Sequence, residues 1–351
     1  MRTSRRWLQP AGGAVVLGAA FWRFGAGGVV DALRGIDASA LAGAAALAAL
    51  TTVCGAWRWA LVARGLGADL TLRSAVAESY RSQFLNVTLP GGVVGDVRRG
   101  VRHGRAGGDL GRGLRAVVWE RAAGQLVLAV LALGALLLLP WPFEPETGDT
   151  TGSGTGAGRL ALVLVLVVLV LVLVLALGGC GVLWGIGRGR GPWRLVRRGV
   201  RVVATDLRTG VLGRRTWPGV VAASVLVVTG HVATFVVAAR SAGVTAAVPS
   251  LLPLALLVLV AMGLPLNVAG WGPREGAAAG LFGAAGLGSA AGMGTAVVYG
   301  VLVLVASLPG AVLLLVSRRS GTVGRPRPAR IGTVVLAGPG VDVDVEGAAR
   351  G

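Results

Sequence analysis

Long apolar runs separated by short arginine-bearing segments set the pattern of this chain. Runs at 41–63, 114–139, 160–186, 220–239 and 290–316 each reach the roughly 20 residues that an α-helix needs to cross the hydrocarbon core of a bilayer. The run at 160–186 alternates leucine and valine as a strand would. Its length, however, fits a spanning helix and no ordinary strand. Near the N-terminus, Arg2, Arg5 and Arg6 precede an apolar stretch from Pro10 to Ala20. That order matches a secretory signal peptide, but the stretch continues to Val30, so a first membrane helix is the preferred reading.

Two segments break the pattern. The first, 74–105, is too polar for a simple span and contains Phe84-Leu85-Asn86-Val87-Thr88-Leu89-Pro90-Gly91-Gly92-Val93-Val94-Gly95-Asp96-Val97-Arg98-Arg99. The second, 248–286, is apolar but interrupted, and contains Gly263-Leu264-Pro265-Leu266-Asn267-Val268-Ala269-Gly270-Trp271-Gly272-Pro273-Arg274-Glu275. Each gives Leu-Asn-Val, then a Gly/Pro bend, then an acid beside arginine, then a short half-helix and a full span. Irregular backbone at membrane depth survives only where protein buries it or a wet cavity solvates it. Paired breaks in corresponding halves of a chain mark the binding region of many transporters. Two short helices joined by a plain loop would give the same hydropathy.

Charge sets the orientation. All 34 basic residues are arginine, against 15 acids, a formal net charge of +19. They concentrate between the apolar runs, most densely at 187–217, where Arg188, Arg190, Arg194, Arg197, Arg198, Arg201, Arg208, Arg214 and Arg215 lie. The positive-inside rule places such loops in the cytoplasm. The helical spacing of Arg194, Arg197, Arg198 and Arg201 predicts an interfacial amphipathic helix on anionic lipid. The acidic loop with Glu144, Glu146 and Asp149 then faces outward. All loops agree if 74–105 enters and leaves from the cytoplasmic side and 248–286 from the outer side, which fits an inverted repeat. Trp57, Arg58 and Trp59 read as an interfacial collar at the end of the second span. The expected fold is an all-α polytopic membrane protein with about six full spans and two re-entrant hairpins. Residues 1–317 form the membrane domain and 318–351 a disordered cytoplasmic tail. Both termini are cytoplasmic and the plasma (inner) membrane is the expected location.

Several chemistries are excluded. Without lysine there is no Walker A loop and no Schiff base. Cys54, Cys180, His103 and His231 are scattered, so no metal-ligand cluster forms. The sequence pI near 11.8 invites a nucleic-acid reading, but no basic domain stands apart from the apolar runs. Neither cofactor, metal nor nucleic-acid partner is expected, and no nucleophile constellation supports an enzyme. The residues left to carry function are the ionisable ones beside the breaks: Asp96, Arg98, Arg99, Glu120, Arg121, Arg274 and Glu275. Charge within a span costs a few kcal/mol, so it faces the interior and finds a partner. Glu120–Arg121, about a turn into its apolar run, also fits plain interfacial placement. Arginine grips phosphate oxygens in a planar fork, which points to a phosphate headgroup, with the acids balancing the arginines when it leaves. Pro90, Gly91, Gly92, Gly95, Gly270 and Gly272 make the backbone breaks. Gly280, Ala284, Gly288, Gly292, Ala296 and Gly300 recur every four residues and predict close helix packing.

These motifs resemble the flippase-like transmembrane region of lysylphosphatidylglycerol synthases and its stand-alone relatives. The likeness rests on Leu89-Pro90-Gly91-Gly92 leading to Gly95-Asp96 and Arg98/Arg99, and on Glu120-Arg121 in the next span. It continues in Gly272-Pro273-Arg274-Glu275 leading to Leu281-Phe282 and Gly286, and spans residues 10 to 317. The resemblance implies a membrane domain that moves or binds lipids with polar headgroups: aminoacylated phosphatidylglycerol, hopanoid-type lipids or polyprenyl-linked sugars. A soluble aminoacyl-transferase domain is not expected in the tail. The leading expectation is a lipid flippase without its own ATPase, acting on an anionic or glycosylated lipid. The competing one is a non-transporting accessory that binds lipid or anchors a separately encoded glycosyltransferase or aminoacyl-lipid synthase.

Overall fold

The computed structural model describes residues 34–89, 92–139, 192–263 and 272–320. The expected spans at 10–30 and 160–186, the acidic outer loop, Cys180 and the tail from 321 lie outside them. Every regular element among the described residues is helical.

Four helices are long and apolar enough to cross a membrane: α1 (Ala38–Gly65), α4 (Leu110–Leu138), α6 (Trp217–Ser241) and α9 (Ser289–Ser320). They match the predicted runs to within four residues at each end. α1 starts where Asp37 accepts the Ala40 N–H at 2.7 Å, and α4 where Asp109 accepts that of Arg112 at 2.9 Å. Both are side-chain N-caps.

Between the long helices lie short ones. α2 (Leu72–Thr88) and α3 (Val94–Ala106) flank the first break; α7 (Val248–Met262) and α8 (Pro273–Ala284) flank the second. At 17, 13, 15 and 12 residues and 1.5 Å per residue, each is about 18–26 Å long, short of the roughly 30 Å core. Among the described residues, each break is thus flanked by two short helices set between two long ones. A fifth short helix, α5 (Pro192–Asp206), occupies the arginine-rich segment and runs into a π-helical turn, Leu207–Val211. Asp206 fastens this element to α4, accepting from Arg115 Nε at 2.8 Å and Trp119 Nε1 at 3.0 Å.

Small residues let the helices close on one another. A Cβ on Gly95 would sit 2.1 Å from the Ser82 carbonyl oxygen, so α3 rests directly on α2. Gly113 of α4 meets Gly104 of α3 in the same way, and Gly310 of α9 meets the Tyr80 backbone of α2. The four-residue series in the second half divides. Gly292 presses on Ala278 and Gly300 on the Arg274 guanidinium, whereas Gly280 faces open space and Gly288 takes a positive φ in the turn between α8 and α9. The series therefore is not one continuous packing face, because the turn at 285–288 divides it between two helices. The core of this half gathers Phe235, Leu254, Val258, Phe282 and Tyr299. That of the first half is built on Trp59, Ala60, Ala63, Ala75 and Ala116. Leu126, Val130, Leu137 and Leu138 of α4 are exposed, as expected of an apolar face turned to lipid.

By compactness, the chain forms one unit up to Leu314, and a second begins at Leu315. Of the latter, only the last turns of α9, to Ser320, are described.

Candidate functional site

α2 and α3 meet at the first break, and Asn86 of the Leu-Asn-Val motif holds the junction. Its side-chain oxygen accepts the Gly95 N–H at 2.7 Å, and its Nδ2 donates to Asp96 Oδ2 at 3.1 Å. Gly92 turns the chain there with φ 62°, a conformation open to glycine and strained for most other residues. Pro90 and Gly91 lie outside the described residues.

From Asp96 an alternating chain of charges runs inward. Asp96 accepts from Ser82 Oγ at 3.0 Å, from Arg99 Nε at 3.0 Å and from Arg121 Nη2 at 2.6 Å. Arg99 then donates through Nη2 to Glu120 Oε2 at 2.6 Å. Glu120 in turn accepts two bonds from Arg58, that from Nε at 2.9 Å, and Arg58 Nη1 donates to Ser224 Oγ at 3.0 Å. The sequence Arg121–Asp96–Arg99–Glu120–Arg58 places an arginine at both ends. Asp96, Arg99, Glu120 and Arg58 are each less than 8% exposed, whereas Arg121 keeps 45% of its side chain accessible. Arg99 also lies over the Trp59 ring, 4.7 Å from its centroid, a cation–π contact that suits a desolvated guanidinium.

Beside this chain stands a second cluster around Glu78. It accepts from Arg81 at 2.5 Å, Arg98 at 3.1 Å and Arg102 at 2.7 Å. Among the described residues, six arginines face three carboxylates across the two clusters, an excess of three positive charges.

In the second half, Arg274 and Glu275 sit at the start of α8, each less than 8% exposed. Arg274 Nε donates to Glu275 Oε1 at 2.8 Å, while Glu275 Oε2 accepts the Gly272 N–H at 2.7 Å. The acid thereby closes the first turn of its own helix, at a Gly272 whose φ is 141°. Arg274 lies over the Tyr299 ring at 5.7 Å, and the Tyr299 hydroxyl bonds His231 Nδ1 at 2.9 Å. Gly270 is outside the described residues.

Asp96, Arg99, Glu120 and Arg121 thus come together, and Arg274 with Glu275 forms a separate pair. Arg98 pairs with Glu78 instead of Asp96 and keeps 33% of its side chain accessible. Glu120 lies ten residues after the start of α4, about 15 Å along it, and is buried against its arginine partners. Arg58 and Trp59, read as an interfacial collar, are instead 7% and 0% exposed. The partner that draws Arg58 inward, Glu120, is 62 positions away in sequence, where hydropathy has no view of it. Ser82, Asn86, Glu78, His231 and Tyr299 had no site signal of their own, although Asn86 lay within a motif found twice.

Buried arginines alternating with carboxylates, backed by an excess of positive charge, can bind and release an oxyanion, one carboxylate contact exchanging for one ligand contact. Among the described residues no group of His, Cys, Asp and Glu could hold a metal ion. No curated protein and no solved structure matches the chain. The sequence model of the lysylphosphatidylglycerol synthase TM region matches residues 6–310. With its apolar helices of spanning length, the chain is a membrane-embedded protein that belongs to the family of the lysylphosphatidylglycerol synthase transmembrane region.

Proposed function

We propose that the protein is a lipid flippase that moves an anionic or glycosylated phospholipid between leaflets, with no ATPase and no bond-making chemistry of its own. The observation that supports this is the charge chain Arg121–Asp96–Arg99–Glu120–Arg58, buried at every member but Arg121. Desolvated charge is costly and is kept where it serves binding or transport. An entering phosphate meets Arg121 first, the most accessible arginine of the chain. It takes over hydrogen bonds that Asp96 supplies in the empty state. The carboxylates keep the arginines paired whenever the headgroup leaves, so neither state strands a buried charge. Arg274 and Glu275 form a second half-site reached from the other side, with 74–105 and 248–286 as re-entrant hairpins opening on opposite faces. The plasma membrane, with both termini in the cytoplasm, is the setting this reading requires. A membrane-associated glycosyltransferase or lipid synthase is the partner that would supply its substrate.

The test is lipid retention by the purified protein, read by native mass spectrometry. Wild type keeps phosphatidylglycerol over phosphatidylcholine, and Arg121→Gln loses that preference. Equal retention of both lipids by wild type, or an unchanged preference in the variant, overturns the proposed headgroup site.

A further inference from the structure

An open groove of about 900 Å³ lies between α2 and the C-terminal half of α9, outside both charge clusters. Val76, Ala77 and Tyr80 form one wall; Leu308 and Val312 form the other. Its size falls within the roughly 300–1,000 Å³ usual for small-molecule sites. Leu308 and Val312 are 47% and 58% exposed, so this wall is apolar and accessible among the described residues. The helices touch where Gly310 meets the Tyr80 backbone, and the groove opens beside that contact. Arg73 lines it near the start of α2 and is the charged residue among the described ones in its lining.

We infer that this groove seats an acyl chain of an anionic glycerophospholipid, whose phosphate rests on Arg73. The inference rests on the lipid-transport reading and adds where the lipid waits before its headgroup moves inward. An open, mostly apolar groove with an arginine in its lining is complementary to a molecule with an apolar tail and a phosphate at its end. Sequence position agrees: Leu313, on the groove wall, lies five residues before Arg318, and arginines gather at the cytoplasmic ends of membrane spans. The route inward is marked on α2 as well. Arg81 lies eight residues, about 12 Å of helix, beyond Arg73. It pairs with Glu78 and reaches the Leu313 carbonyl at 3.4 Å. A headgroup leaving Arg73 thus passes to the arginine-rich Glu78 cluster while its chain stays in the trough.

The test uses the full-length protein in phosphatidylcholine nanodiscs doped with phosphatidylglycerol carrying a photoactivatable acyl chain, with adducts mapped by peptide mass spectrometry. Adducts are expected to concentrate on residues 72–80 and 308–313. They should fall at least threefold in Ala77→Trp, which fills the trough. In the surface variant Arg73→Ala they should fall at least threefold for phosphatidylglycerol and stay level for a phosphatidylcholine probe. Adducts spread evenly over α4 residues such as Leu126 and Val130 overturn the site, leaving only annular lipid. Crosslinks from the groove to a second copy of the chain overturn it too. Groove adducts without leaflet exchange would keep the site and remove the transport reading; exchange without groove adducts would do the reverse.

Discussion

The Arg58–Glu120 pair offers the sharpest test of the buried network. Glu120→Gln keeps the side-chain volume and one acceptor oxygen but removes the charge that Arg58 and Arg99 share. Both partners are nearly sealed, with side chains 8% and 4% accessible, so water cannot replace what is lost. Removing one member of a buried pair costs about 3–5 kcal/mol, mostly as the penalty of the charge left behind. Arg58→Gln should cost a similar amount, reduced by whatever hydrogen bonding glutamine restores to Ser224. In the double variant no unpaired charge remains at this link, so its cost should fall below the sum of the singles by about 2 kcal/mol, within the 0.5–3 kcal/mol range of coupled neighbours. Reversible unfolding in mixed micelles, run on all four proteins, gives the cycle. Single variants within 0.5 kcal/mol of wild type, or strictly additive costs, would refute the desolvated pair.

Glycine replacements give matched comparisons of crowded and open positions. Gly124→Ala puts a Cβ 2.6 Å from Arg58 Nη1 and should destabilise by about 1–3 kcal/mol, while Gly134→Ala, with nothing within 4 Å, should be neutral or slightly stabilising. The same unfolding assay separates them, and equal effects would argue against the placement of Arg58. Gly300→Ala should displace Arg274, whose Nη2 lies 2.4 Å from the added Cβ, and lower transport, whereas Gly280→Ala, in open space, should leave leaflet exchange unchanged. Asn86→Ala removes the acceptor for the Gly95 N–H and one donor to Asp96, and should cost about 1–3 kcal/mol; hydrogen exchange at Gly95 should rise with it.

Much of this architecture was legible because a membrane helix announces itself by the length of an apolar run. The limits of α1, α4, α6 and α9 follow from 41–63, 114–139, 220–239 and 290–316, and the Gly/Pro clusters mark the breaks between α2 and α3 and between α7 and α8. Charge beside a break singled out Asp96, Arg98, Arg99, Glu120, Arg121, Arg274 and Glu275, and all seven are ion-paired in the structure. Pairing was not legible. Arg58 looked interfacial because tryptophans flank it, and only a third helix bringing Glu120 alongside makes it a buried group. Glu78 and Ser82 sat in a stretch whose polarity gave no hint of which face met α3. His231 appeared isolated because its partner, Tyr299, lies 68 residues on. Such long-range pairs depend on helix rotation and approach, which the close glycine contacts fix and periodicity alone does not.

The measurement that bears most directly on the central claim is leaflet exchange of headgroup-labelled lipids in proteoliposomes, comparing wild type with Asp96→Ala and Arg274→Ala across anionic, glycosylated and zwitterionic lipids. The account predicts exchange of an anionic or glycosylated lipid that both variants abolish while remaining folded and inserted. Wild-type rates in either variant would contradict the assigned roles. No exchange of any lipid by correctly inserted wild type would contradict transport itself and leave a lipid-binding accessory in its place.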